Sequence, residues 1–235
     1  MKLLFSSPKL LALIAFLMFG QLLFGQLQYS MTTLSDGNGN PVLMKKAAAG
    51  ETAHLFKPGY TTAILYLAGS GKPLMGNQFK LNLQQNRLFF MDANGEEMEV
   101  TSPVKSIEFI GDPGKNNNTV FEKGFPPIDK LTADNYYQVL VTGKAGLLMD
   151  TKFAEVEYKE YNSATTSVRT DKLVSFYGVA AGKMQRLSKA EDILLLLGDK
   201  TREVSEYIKK ENLKIKKQAD LEKLFRYYNG LFDKV

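Results

Sequence analysis

The stretch RLFFMDANGEEMEV, Arg87 to Val100, sets two β-prone runs on either side of Asn94-Gly95. Asn-Gly is the strongest short hairpin signal, because a type I′ turn needs positive φ at both central residues. A two-residue loop at that point predicts a register. Met91 faces Met98 and Phe89 faces Val100, which makes one apolar face; Asp92 then lies opposite Glu97, and Phe90 opposite Glu99. The same stretch packs four carboxylates into eight residues. Like charges directly opposite one another are mildly destabilising, so Asp92 and Glu97 are either solvated beside the turn or share a cation. The solvated turn is the favoured reading and no metal site is expected; if a cation binds, Asp92 and Glu97 are its ligand candidates. An EF-hand loop does not fit: counted from Asp92, Glu97 stands where the glycine belongs and Pro103 where the closing glutamate belongs. Counted from Asp36, the same places hold Pro41 and Ala47.

Outward from the hairpin the texture continues. NQFKLNL alternates, with Phe79, Leu81 and Leu83 on one face and Gln78, Lys80 and Asn82 on the other. TTAILYLAG, VKSIEFI, NYYQVLVTG, LLMDTKFAEVEY and KLVSFYGV follow in the same style, separated by clusters such as GDPGKNNN, GFPPID and TGKAG. That spacing predicts an antiparallel, meander-like sheet. At Ser188 the period changes. SKAE has capping-box form, Ser188 with Glu191, and Gly198 can close the helix that follows. Asp199 can cap a second helix with a Val204, Tyr207 and Ile208 stripe. In a third, Leu221, Leu224, Phe225, Tyr228, Leu231 and Phe232 recur on one face, with Tyr227 off the stripe and free to meet the sheet or a partner. The expected class is α+β: residues 27–60 irregular, 61–187 an antiparallel β region, and 188–235 a three-helix segment.

The first 26 residues read differently. Lys2 and Lys9 precede an apolar run from Leu10 to Phe24, and Gly25 follows. This is the form of a secretory signal peptide, with cleavage expected near Gly25 or Gln26; the run is short for a membrane span of about 20 residues. The sequence contains no cysteine, which excludes a lipid-anchored cysteine, disulfides and thiolate metal sites. Loss of Lys2 and Lys9 would lower a formal charge of only +5. Basic and acidic residues are interleaved throughout, so nothing reads as a nucleic-acid stripe.

Other apparent motifs dissolve on inspection. GSGKP (Gly69–Pro73) lacks the first glycine and the hydroxyl residue of a P-loop, whose places hold Tyr66 and Pro73. Ser102 and Lys105 have the spacing of penicillin-binding enzymes but sit at the start of a strand, which spreads them apart. His54 is the sole histidine, so a two-histidine site is impossible. No catalytic set and no cofactor fingerprint emerges.

The succession NRLFFMDANGEEMEV, VKSIEF, GFPPIDK, YYQVLVTGKAGLLM, YNSAT and ILLLLGDK through YIKKENLKIKKQADLEKLFRYYNGL resembles a group of uncharacterised exported proteins of Bacteroidetes-type bacteria. It spans about Gln78 to Phe232, and LLFGQ at the end of the leader is similar to exported proteins of that group. The resemblance implies a periplasmic or outer-membrane-associated location and carries no catalytic residues. The expected function is a non-enzymatic binding or scaffold module with a protein or envelope partner, compatible with peripheral membrane contact. Two alternatives stand beside it. One is a carboxylate-based hydrolase using Asp92, Glu97 or Glu99 with Glu155 or Glu157, whose signature is two carboxyls about 5–9 Å apart in a cleft. The other is lipid or lipoprotein handling by an apolar sheet face.

Overall fold

A computed structural model describes residues 34–48, 54–115, 117–159 and 165–232. The proposed leader, 1–26, lies outside them. The strands are β1 (Met44–Lys46), β2 (Thr61–Leu67), β3 (Leu74–Asn82), β4 (Arg87–Met91), β5 (Glu97–Val100), β6 (Val104–Phe109), β7 (Thr119–Glu122), β8 (Tyr137–Val141), β9 (Ala145–Lys159), β10 (Thr166–Ala180) and β11 (Lys183–Arg186). The helices are α1 (Ala190–Leu196), α2 (Thr201–Lys210) and α3 (Gln218–Gly230). The strands form one sheet in the order β1-β5-β4-β3-β2-β6-β7-β8-β9-β10-β11. Every pairing is antiparallel. From β6 to β11 this is a simple meander. At the other end the β2–β5 run is laid down in reverse order, and β1 pairs with β5.

The β4–β5 register corrects the two-residue-loop expectation by one residue. Phe90 faces Met98, Phe89 faces Glu99 and Met91 faces Glu97. Only Gly95 takes positive φ, at 78°; Asn94 does not. The Asp92 carbonyl accepts from the Gly95 amide (3.1 Å), and the Asp92 amide donates to the Glu96 carbonyl (2.9 Å). This is a three-residue loop, a type I turn closed by a left-handed glycine. The Asp92 carboxylate favours it, because Oδ1 accepts the amides of Asn94 (2.9 Å) and Glu96 (2.8 Å). A one-residue slip exchanges faces. Phe89 and Met91 therefore join Glu97 and Glu99, while Phe90, Met98 and Val100 join the core.

That core fills the first half of the sheet. Ala63, Leu65, Phe79, Leu81, Ile107 and Phe109 are each at most 1 % exposed. The sheet curls enough for the β3–β4 turn to reach the later strands. Asn86 accepts the Tyr136 amide (2.9 Å), Gln84 accepts the Phe153 amide (3.0 Å), and Lys152 donates to the Leu83 carbonyl (3.1 Å).

A second core lies between the C-terminal strands and the helices, where Leu147, Ile193, Val204, Leu221, Leu224, Phe225 and Tyr228 pack together. The predicted α3 stripe is thus the docking face. Gly178 of β10 permits the approach: a Cβ there would sit 2.2 Å from Leu196 and 3.0 Å from Phe225. Asn229 clamps α3 to the β8–β9 turn, accepting the Ala145 amide (2.9 Å) and donating to the Ala145 and Thr142 carbonyls. Two capping expectations change. Helix α1 starts one residue later than SKAE suggests, so Asp192 rather than Glu191 accepts the Ser188 and Lys189 amides (2.9 and 3.0 Å). Asp199 does not cap α2; it accepts the Tyr228 hydroxyl (2.8 Å) and pairs with Lys144 (3.2 Å). Tyr227, off the stripe, stacks on Tyr207 of α2 with centroids 3.7 Å apart. On the opposite face of the strands, Tyr137, Leu148 and Tyr177 pack under the β7–β8 connection through Phe125, Ile128 and Leu131.

Candidate functional site

The carboxylates singled out in the sequence are held as structural groups. Asp92 caps its own turn, as described. Glu97 faces Met91 rather than Asp92; it accepts the Tyr60 hydroxyl (2.6 Å) and pairs with Lys80. Burial opposes its charge, yet the hydrogen bonds from Lys80 and Tyr60 prevail and hold its carboxyl below the usual range. Glu99 lies between Lys45 (3.1 Å) and Arg87 (3.6 Å), and Glu96 pairs with Lys46 (2.6 Å). Glu155 and Glu157 lie on the exposed end of β9, opposite Thr170 and Val168. In the Asp36 loop, Oδ1 accepts the Asn38 and Asn40 amides and Oδ2 accepts the Ser70 hydroxyl (2.7 Å). The Ser70 bond, with those from Asn40 and Asn38, holds this carboxyl at about 2. The two glycine-rich motifs of the sequence, DGNGN and GSGKP, thus brace each other.

A different acidic pair shares a recess. A cavity of about 560 Å³ beside the β7–β8 connection is lined by Asp129, Asp150, Ser175, Tyr177 and Arg186, among others. The strand register supplies four of these groups. Asp150 faces Ser175 across β9–β10, and Tyr177 faces Arg186 across β10–β11. Asp129 comes from the connection, in left-handed backbone (φ 54°), within a turn tied by reciprocal Ile128–Leu131 hydrogen bonds (3.1 and 2.9 Å). Tyr177 donates to Asp129 (3.1 Å); Arg186 lies 3.6 Å from Asp129 and donates to Ser175 (3.2 Å). Asp150 has Lys152 at 3.7 Å. Burial pushes the Asp150 carboxyl up, with Lys152 opposing, and burial with the bond to Asp129 pushes the Tyr177 hydroxyl up to about 12. The neighbouring Tyr137 hydroxyl is buried with no protein partner. The sequence offered one signal for this cluster, a carboxylate inside the apolar run around Leu147–Phe153. Asp129 looked like an ordinary turn residue.

The third feature is an arm. Strands β9 and β10 pair without interruption from Ala145–Ala180 to Lys159–Thr166. Their outer neighbours cover little of that length: β8 reaches β9 only at Leu147–Met149, and β11 reaches β10 only at Tyr177–Ala180. Beyond Phe153, whose ring lies 4.8 Å from that of His54 at a tilt of 33°, the ribbon has no partner but itself among the described residues. Thr151 to Lys159 spans about 26 Å at roughly 3.3 Å per residue. Val168 (59 %), Leu173 (53 %), Val174 (43 %) and Tyr158 (37 %) are exposed on it. The apolar sheet faces, by contrast, are occupied by the chain's own side chains. The recess between Phe125, Val139, Leu148 and Val179 holds about 230 Å³, less than the roughly 300 Å³ of a small-ligand pocket.

These features define an α+β protein: a curled antiparallel sheet, backed by helices at one end and extended by a two-stranded arm. Comparison with known protein families, with characterised proteins and with solved structures finds no match for this chain.

Proposed function

We propose that this is an exported, non-enzymatic binding or scaffold module of the bacterial cell envelope, which engages a protein partner through the β9–β10 arm. The arm carries this reading. A two-stranded ribbon alone is marginally stable, and its open edges and exposed apolar residues are the features natural proteins otherwise cover. The basic and apolar N-terminus and the resemblance to exported Bacteroidetes-type proteins support the compartment. A photo-cross-linking residue placed at Val168 or Leu173 in cells of the native host should give a discrete adduct. The same residue at Leu43 or Leu195, exposed apolar positions off the arm, should give none. Equal labelling at all four positions would overturn the reading. Intact mass of the mature protein tests export: retention of Met1 to Phe24 would make it an anchored protein.

A second reading, carboxylate-based hydrolysis, is favoured by one observation: a buried Asp150 and an Asp129 in one recess, with Arg186 beside them. It moves the candidate acids away from Asp92, Glu97 and Glu99. Turnover of chromogenic glycosides or esters by the parent, abolished in Asp150→Asn, would establish it.

A further inference from the structure

We propose that the arm's partner is a second copy of this chain, joined edge to edge through Thr166–Val174 of β10 in an antiparallel two-fold pair centred on Thr170. This rests on the arm reading above and names its occupant.

An antiparallel pair of identical strands is isologous. Side chains alternate between faces, so opposed residues share a face only when the two-fold axis passes through a residue. Residues equally far on either side of that centre then meet. On the open length of β10, centres at Arg169, Asp171 or Lys172 would set a charge against itself, which is destabilising. A centre at Thr170 avoids all three. It sets Arg169 opposite the second copy's Asp171, Val168 opposite Lys172, Ser167 opposite Leu173 and Thr166 opposite Val174. Within one chain Arg169 and Asp171 already lie 3.0 Å apart and remain partly exposed, at 60 % and 37 %. Pairing would convert two exposed ion pairs into one alternating group of four charges. Val168 gains the aliphatic stem of Lys172 as cover. The row Thr166, Val168, Thr170 and Val174 is β-branched, the composition that fits a pleated strand.

The β9 edge offers less. Centres at Glu155 and Glu157 set a carboxylate on itself, a centre at Val156 sets Glu155 against Glu157, and a centre at Tyr158, which does oppose Glu157 to Lys159, lies one residue from the end of the strand. Closer to the body, the Phe153 amide is already taken by Gln84. The charge pattern therefore favours β10 centred on Thr170, the one centre that sets Arg169 opposite Asp171. Nine residues a side make a small contact, so the dimer should be reversible, with a dissociation constant on the order of micromolar.

Sedimentation of the mature chain from about 1 to 100 µM should show a monomer–dimer equilibrium. Arg169→Asp alone, and Asp171→Arg alone, should each weaken it at least about tenfold through like-charge opposition. An equimolar mixture of the two variants should dimerise again, because each then supplies the charge that the other lacks. A merely structural effect on the hairpin would not be rescued by mixing. The chain has no cysteine, so Thr170→Cys gives an independent readout: oxidation should yield covalent dimer, while Tyr158→Cys on the β9 edge should not. A parent that stays monomeric at 100 µM, or a dimer indifferent to both charge variants, would overturn the inference. A monomeric parent that still cross-links through Val168 to another protein in cells defeats the second copy and leaves the arm reading standing. Failure of both defeats both.

Discussion

The two halves of the β9–β10 hairpin share one unbroken register and have opposite surroundings. In the proximal half Ala145, Leu147, Leu148, Tyr177 and Ala180 are buried, between α3 on one side and the β7–β8 connection on the other. In the distal half Tyr158, Val168 and Leu173 face solvent. Both halves are rich in β-prone residues. The difference lies in what covers them: helices, β8 and β11 reach the first half and stop. Strand formation is therefore a property of the ribbon, while burial is a property of its neighbours. Substitutions in the two halves should separate accordingly.

The largest effect belongs to the proximal cover. Phe225 of α3 is fully buried and stands against Gly178. Phe225→Ala should cost about 3–5 kcal/mol, the transfer term plus a cavity, read as a lower urea midpoint. A cost below about 1 kcal/mol would mean that α3 does not hold the proximal half, and the contrast would collapse. Next comes the reverse substitution on the same contact. Gly178→Val fills space already held by Leu196 and Phe225, and overpacking of this kind costs about 1–3 kcal/mol. Double substitution with Phe225→Ala should recover part of that loss, since the two sites share one contact.

Much of this arrangement was legible in the sequence. The α3 stripe repeats over its whole length, and a helix with one apolar face must bury it; Leu221, Leu224, Phe225 and Tyr228 do so. The alternating runs predicted strands, and turn clusters between them predicted antiparallel order. The β4–β5 register was misread because Asn-Gly supports two turns. The carboxylate two residues before Asn94 selects the longer one, through hydrogen bonds that no periodicity reports. The recess was hidden for another reason. Asp129 and Asp150 are joined by the β7–β8 connection folding back over the sheet, a long-range contact with no local signature. The arm, finally, is not marked by strand propensity: the continuous apolar run at Leu147–Met149 and the alternating run Phe153–Lys159 both form strand, and only the lengths of β8 and β11 fix where cover ends.

Asp150 stands at the boundary between the halves and should give a smaller, pH-dependent effect. Its folded pKa is raised by burial above the ordinary value of 3.8. The folded state therefore holds this proton more tightly than the unfolded chain. That contribution is fully present below the unfolded pKa and is lost as pH rises through the folded one. At pH 7 the parent carries a buried charge that Asp150→Asn does not. The variant should melt at an equal or higher temperature at pH 7, with the difference shrinking as pH falls below about 4. A variant less stable at pH 7 would mean that the pairing with Lys152 outweighs burial.

The smallest effect on stability is expected in the distal half. Val168 and Leu173 are each more than half exposed, so removing their apolar atoms leaves no cavity and forfeits little burial. Threonine keeps the β-branched shape at Val168 and introduces one that suits a strand at Leu173. Val168→Thr and Leu173→Thr should therefore change unfolding free energy by no more than about 0.5 kcal/mol. The measurement must be made in dilute protein, because association stabilises by mass action and would add a concentration-dependent part. Repeating the melts at high concentration then sharpens the comparison. If the arm is a docking edge, the parent's midpoint rises with concentration and the midpoint of Val168→Thr rises less. If instead either substitution costs more than about 1 kcal/mol in dilute protein, the distal half is packed within its own chain. The hairpin would then be one buried unit, and the arm would lose the exposure on which its proposed role depends.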